Sequence, residues 1–234
     1  DVPKKLYNNY HVEQRMDEGE IFCRFSDGNE SIETLIFISH KGNSIWIETT
    51  YSNGLKAISA SFAPADIKSG TIKKKEIGST KVFKREFKGD NLVFGTRLTV
   101  AVSQKIFNNK CICNIVLNSN HDGTPLILEE FSEEKFEEEH NDNLKWWENF
   151  YKKSSFKTSD TFLEMNWYAS QYLLAVCALN NEFPPGLYGN YITKDWVNWK
   201  GDYHLNYNYQ GSFYGACTSN HVGLRIVMTL RYLQ

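Results

Sequence analysis

Over its first half the chain alternates apolar and polar residues in short runs, and turn-forming residues cut those runs apart. The runs span residues 21–25, 33–39, 44–50, 55–62, 71–77, 81–87, 92–103 and 111–117. In 44–50, Ile45 and Ile47 fall on one side and Trp46 on the other, the period of two that a strand imposes. Asp27-Gly28, Asn53-Gly54, Lys88-Gly89-Asp90 and Asn108-Asn109 punctuate the series. Short strands with frequent turn signals predict an antiparallel β-sandwich over residues 1–127. Lys73-Lys74-Lys75 predicts a solvated edge strand, where charge discourages pairing with another chain.

The pattern changes near residue 125. Residues 128–156 are rich in Glu and lose the strand alternation, which predicts one linker helix, with Asn141-Asp142-Asn143 the place where it could break. Its acidic run is expected to be a solvated face. Residues 157–160 then supply helix-start residues, and Thr161-Phe-Leu-Glu164 fits a capping box. Phe162, Met165, Ala169, Tyr172, Val176 and Leu179 keep helical spacing, and this stripe is expected to be core. The helix is expected to stop at Asn180-Asn181, before Pro184-Pro185. A loop over 183–210 follows, and a helical pattern resumes from about Gln210 through Phe213, Cys217 and Val222.

Composition narrows the classes. Of 234 residues, 41% are hydrophobic and 15% aromatic, enough for a sizeable core. A net charge of -2 gives no field that would draw nucleic acid or a membrane surface, and no apolar run approaches a membrane span. Neither partner is expected. The five Cys show no zinc spacing, and buried free thiols are the expectation. His11, His40, His121 and His140 are scattered, so no metal and no cofactor are expected. Asn29-Glu30-Ser31 matches a glycosylation acceptor, a pattern common by chance. The chain opens on Asp1 and closes inside an apolar, helix-like pattern, so a piece of a longer protein is expected. An extracellular or periplasmic location is favoured if a leader was removed.

The loop holds the candidate chemistry. His204, Asn206, Asn208 and Gln210 stand at every second position, and in an extended segment all four would face one side. Leu205 and the tyrosines at 203, 207 and 209 would take the other. Amides donate and accept, as sugar hydroxyls require, and aromatic rings offer flat platforms to sugar C–H faces. Trp196 and Trp199, three apart, are such platforms or core packing under the loop. The same residues equally fit a hydrogen-bonded turn over buried aromatics. Gly186, Gly189 and Gly201 would allow tight turns and close approach by a ligand. Asp202, two residues before His204, would orient it or cap a turn. A hydrolase triad is not expected, because Ser212 sits in no nucleophile elbow.

The ordered string Trp199-x-Gly-Asp202-x-His204-x-Asn206-x-Asn208-x-Gln210, preceded by Pro184-Pro-Gly-Leu-x-Gly189, resembles the six-hairpin (α/α)6-barrel glycosidases. It is closest to the inverting α-L-fucosidase/α-galactosidase family, glycoside hydrolase family 95. The resemblance covers roughly residues 140–224. It implies a β-sandwich, a linker helix and, over 157–234, the first part of an (α/α)6 barrel. It implies an exo-glycosidase acting on terminal α-L-fucose, α-galactose or a related sugar of an oligosaccharide or glycan.

An inverting enzyme needs a general acid and a base that activates water, with carboxyls roughly 6.5–9.5 Å apart. In the resembled family two asparagines orient that water, and an Asp far downstream assists them. The matching positions are Asn206 and Asn208, with His204 as a sugar contact and Trp199, Asp202, Gln210 and Trp196 as further binding candidates. The family's acid Glu also lies downstream, past Gln234, so this chain alone is not expected to hydrolyse glycosides. A non-catalytic carbohydrate-binding module stays open, as does a related glycoside phosphorylase, although no basic cluster stands near Asn206. Where the family has Met-Asn-Tyr-Trp, this chain has Gly211-Ser-Phe-Tyr214, which leaves the sugar itself undetermined.

Overall fold

The structure, a computed structural model, describes residues 9–52, 71–89, 95–120, 131–178, 185–189, 191–192, 197–202, 204–205, 207–211 and 213–224. The chain divides into two compact units, residues 1–146 and 147–234.

The first unit is built on one eight-stranded antiparallel sheet. Its strands are β1 (Asn9–Arg15), β2 (Glu20–Ser26), β3 (Ser31–Ile38), β4 (Ser44–Tyr51), β5 (Thr71–Ile77), β6 (Thr80–Phe87), β7 (Thr96–Phe107) and β8 (Lys110–Ser119). Their order is β1-β2-β3-β4-β8-β7-β6-β5. Two four-stranded meanders therefore meet where β4 pairs with β8. All the described strands belong to this one sheet, and the second layer of a sandwich is not among them. Strand β1 escaped the sequence reading, because its polar, exposed residues lack an apolar face. The run at 55–62 lies outside the described residues. β5 closes one edge of the sheet, and Lys73, Lys74 and Lys75 are exposed on it, as charge on an edge strand should be.

Both faces of the sheet are apolar. On one, Phe83, Val100, Val102 and Cys113 are buried together, with Ile47 and Ile115 packed against them. On the other, Phe37, Trp46 and Ile112 pack with Phe131 and Phe136. Phe136 belongs to helix α1 (Glu133–Tyr151), which lays its first turns on that face. Burying each such ring is worth about 1.5–3 kcal/mol, so this cluster is what holds the helix down. Polar contacts fix its register. His140 reaches the buried Glu20 at 2.8 Å, and Ser39 donates to Glu139 at 2.9 Å.

Helix α1 is one helix and runs unbroken through Asn141-Asp142-Asn143. Asn143 is fully buried and donates to the carbonyl of Glu18 at 3.4 Å, while Asp142 pairs with Lys41. Tertiary partners take up the side chains that would otherwise compete with the helix backbone.

The second unit starts at the end of α1. Helix α2 (Thr161–Ala178) begins one residue earlier than the capping box implied. Asp160 is the cap: its carboxylate accepts the N–H groups of Phe162 and Leu163 at 3.0 and 3.1 Å. Glu164 reaches back to Lys157 and to the N–H of Thr158. The stripe expected as core is not the buried one. Phe162 is 66% exposed and Met165 55%, whereas Gln171, Ala175 and Ala178 are buried. The helix is apolar on several sides, so periodicity could not single out the side that packs. Trp147 stacks on Tyr172 with ring centroids 5.1 Å apart. Ala178, Tyr209 and Phe213 form a further cluster with Leu174 and Leu224.

Candidate functional site

The segment after α2 is compact where it is described. The N–H of Leu187 donates to the carbonyl of Asp202 at 3.0 Å, joining two separate stretches of the loop. A Cβ on Gly186 would sit 2.7 Å from the carbonyl oxygen of Gly201. Glycine is required there because the loop's own backbone approaches, rather than a ligand.

Residues Asn198–Gly201 form a tight turn of unusual hand. Trp199, Lys200 and Gly201 have φ of 50°, 55° and 66°. The left-handed region costs an L-residue roughly 1–2 kcal/mol, so two successive non-glycine residues held there are a marked strain. The turn is closed by Lys200 N–H to Val197 carbonyl at 3.2 Å and Asp202 N–H to Trp199 carbonyl at 3.3 Å. Its product is a tryptophan side chain 65% exposed to solvent.

Asp202 and His204 come together directly after this turn. The Asp202 carboxylate lies against Nδ1 of His204 and also accepts the backbone N–H of His204 at 3.3 Å. His204 too is left-handed, with φ of 36°. The chain therefore bends at His204 and does not run on as an extended segment.

That bend overturns the expected row of four side chains facing one way. Helix α3 (Tyr207–Gly211) begins inside the row. Residues two apart on a helix point roughly 200° apart, so Asn208 and Gln210 face different ways. Asn208 is exposed and Gln210 half-buried. The cause is visible in the packing. Tyr209 and Phe213, four apart, are buried together with ring centroids 5.5 Å apart, and this helical spacing prevails over the alternation of amides. A five-residue helix therefore starts within the row, earlier than the helical pattern expected from about Gln210. Asn206 and Trp196 lie outside the described residues.

A second aromatic pair follows the bend. Tyr207 and Tyr214 are 70% and 61% exposed, and their rings meet edge to face at 6.5 Å. Tyr214 belongs to helix α4 (Tyr214–Thr218). Sequence reasoning passed over this pair, although a spacing of seven is two helical turns. It also passed over His221, whose ring is buried against Phe150 with centroids 3.9 Å apart. Its Nε2–H donates to the carbonyl of Phe150 at 3.0 Å, and Nδ1 lies 3.1 Å from the hydroxyl of Ser219. Burial pushes the His221 imidazole below its ordinary pKa, and the positive charge of Lys153 acts the same way, outweighing the two hydrogen bonds. His221 is thus a neutral structural fastener. Ser154 donates to the carbonyl of Ser219 at 2.8 Å, and the Asn220 amide to that of Lys153 at 3.2 Å, tying the same corner.

Among the described residues there is no group of three or more His, Cys, Asp or Glu that could hold a metal ion, and no helix long and apolar enough to cross a membrane. Compared with protein-family models and with curated proteins, the chain gives no match.

Proposed function

We propose that the second unit carries the sugar-recognising part of a glycoside hydrolase, an inverting exo-enzyme acting on terminal α-L-fucose, α-galactose or a related sugar. In this reading the sheet unit corresponds to the β-sandwich of the six-hairpin glycosidases, α1 to the linker helix and α2 to the first helix of an (α/α)6 barrel. Asn206 and Asn208 orient the attacking water, His204 contacts the sugar, and Trp199 is its platform.

The observation that supports it most is Trp199. A large aromatic side chain is turned to solvent by a strained left-handed turn, immediately before the Asp202–His204 pair. Strain of this kind persists only where surrounding structure enforces it, and it gathers at ligand sites. A solvent-facing ring beside polar groups is the surface a pyranose stacks on. The ordered motif from Trp199 to Gln210 supplies the reaction class.

Calorimetric titration with methyl α-L-fucoside, methyl α-D-galactoside and their β-anomers tests the reading. Saturable binding of one α-anomer supports it. A folded protein that binds none of the four contradicts it. Binding without turnover in a longer form of the protein favours the non-catalytic binding module over the enzyme.

A further inference from the structure

The two outer strands of the sheet are built differently. β5 carries Lys73, Lys74 and Lys75, all exposed, so copies of that edge repel one another. β1 has none of these safeguards. It pairs with β2 through all of Asn9–Arg15 without a bulge, and it contains no Lys and no Pro. Glu13 and Arg15 are its residues of fixed charge, and they cancel. Among the described strands β2 is its one partner. A strand paired on one side turns the N–H and C=O groups of every second residue outward. An unbulged edge without net charge is a template for another strand.

The side chains of β1 add to this. The register puts every Glu, Lys and Arg of β1, β2, β3, β4, β8 and β7 on the face that carries Glu20 and helix α1. The opposite face is uncharged across those six strands, and β1 contributes Tyr10, Val12 and Gln14 to it. Tyr10 is 78% and Val12 55% exposed, and Ile21, opposite Gln14, is exposed as well. Two copies of β1 can meet antiparallel about a twofold axis normal to the sheet, which keeps each face on its own side. The registers that pair at least five residues are centred on His11, Val12 or Glu13. Centring on His11 or Glu13 sets identical ionisable groups opposite each other, which is unfavourable. Centring on Val12 pairs all of Asn9–Arg15. His11 then stands opposite Glu13 of the second copy, twice over, with Tyr10 opposite Gln14 and Asn9 opposite Arg15. The two groups are complementary: within one strand, on the charged face, the His11 ring already meets the Glu13 carboxylate at 3.0 Å.

We propose that β1 is a dimerisation edge, pairing antiparallel with β1 of a second copy of this chain with Val12 on the twofold axis. The contact joins two sheets into one and places the uncharged face of each copy beside that of the other. A twofold contact uses the same surface on both copies and closes on itself, whereas β1 against the lysine-bearing β5 edge would run on as an open chain of copies. The surface belongs to the sheet unit and does not rest on the reading of the Trp199 loop.

The test is sedimentation velocity of the full protein over a dilution series. The expected result is a dimer that dissociates on dilution. Val12→Lys sets two like charges on the axis and should leave a monomer with an unchanged thermal midpoint, because the side chain it replaces is exposed. His11→Glu sets Glu opposite Glu13 and should weaken the dimer by about tenfold. Adding Glu13→Lys to His11→Glu makes the opposed charges complementary again and should restore the affinity, which fixes the register. A monomer at every concentration overturns the proposal. So does a dimer that survives Val12→Lys. A double variant no tighter than His11→Glu alone overturns the pairing of His11 with Glu13 and with it the axis at Val12.

Discussion

The Asp202 carboxylate accepts the backbone N–H of His204 at 3.3 Å and lies beside the ring Nδ1. The hydrogen bond supports the bend, and it brings the exposed carboxylate beside the imidazole. Exposed polar contacts of this kind contribute no more than about 1 kcal/mol to stability, so any value of the pair lies in what it offers a ligand. Asp202→Ala is expected to weaken saccharide binding by about tenfold, or ~1.4 kcal/mol, with a nearly unchanged thermal midpoint. Wild-type affinity in a folded Asp202→Ala protein would remove the pair from the site.

Asn208 is exposed on α3, whose anchor is the neighbouring Tyr209. Truncating an exposed side chain typically changes stability by about 0.5 kcal/mol or less. In a catalytically complete form of the protein, Asn208→Ala should lower turnover by about 10²-fold, the cost of removing one aligned hydrogen-bonding group. Turnover within twofold or so of wild type, with intact folding, would exclude Asn208 from positioning the water.

The sequence made the strand-rich unit legible because alternation and turn residues are local signals. Seven of the eight strands fall on runs read from the pattern, and β1 does not because its side chains are mostly exposed. The helices were placed but their faces were not. On α2, choosing between Phe162–Met165 and Gln171–Ala175–Ala178 depends on what packs against the helix, which no local period encodes. The loop shows the same limit more sharply. His204, Asn208 and Gln210 stand two apart and read as a strand, yet Tyr209 and Phe213 stand four apart and their burial decides the outcome. Neither the left-handed turn at Trp199 nor the bend at His204 has a sequence signature, since neither residue is glycine.

Glu20 links the sheet to α1, and its titration should appear in the stability of the sheet unit. Burial alone would raise its pKa, but hydrogen bonds from His140 and Arg15 outweigh burial and hold it below the ordinary carboxylate value. A depressed carboxylate stabilises the fold above its unfolded pKa of about 4.5, and that contribution is lost as pH falls through the folded value. Glu20→Gln should therefore cost about 2–3 kcal/mol at neutral pH and flatten the acid limb of the stability profile. An unchanged acid limb in Glu20→Gln would show that other carboxylates set it.

His221 gives a second, separable pH effect. Its folded pKa lies below the unfolded value of about 6.5, so below that pH the unfolded chain takes up a proton that the folded chain does not. Stability is full above about pH 6.5 and is lost as pH falls toward the folded pKa. His221→Phe should remove this window while costing about 1–3 kcal/mol, because the Phe150 carbonyl loses its donor. Denaturant midpoints measured between about pH 5 and 7.5 in both proteins check this.

Cys113 is buried and its thiol is pushed up to about 12, by burial first and by the neighbouring Cys111 second. It should stay unmodified by a neutral-pH alkylating agent in folded protein, while Cys217, which is exposed, reacts. Mass mapping of the labelled sites measures this, and early labelling of Cys113 would contradict the packing of that face.

The account rests on Trp199 as the platform for a terminal sugar, and the most direct measurement is its indole N–H signal during titration with methyl α-L-fucoside and methyl α-D-galactoside, assigned with Trp199→Phe. The account predicts a saturable shift with one of the two, weakened about tenfold in Asp202→Ala. A Trp199 signal that stays fixed with both sugars, in a folded protein, would contradict it.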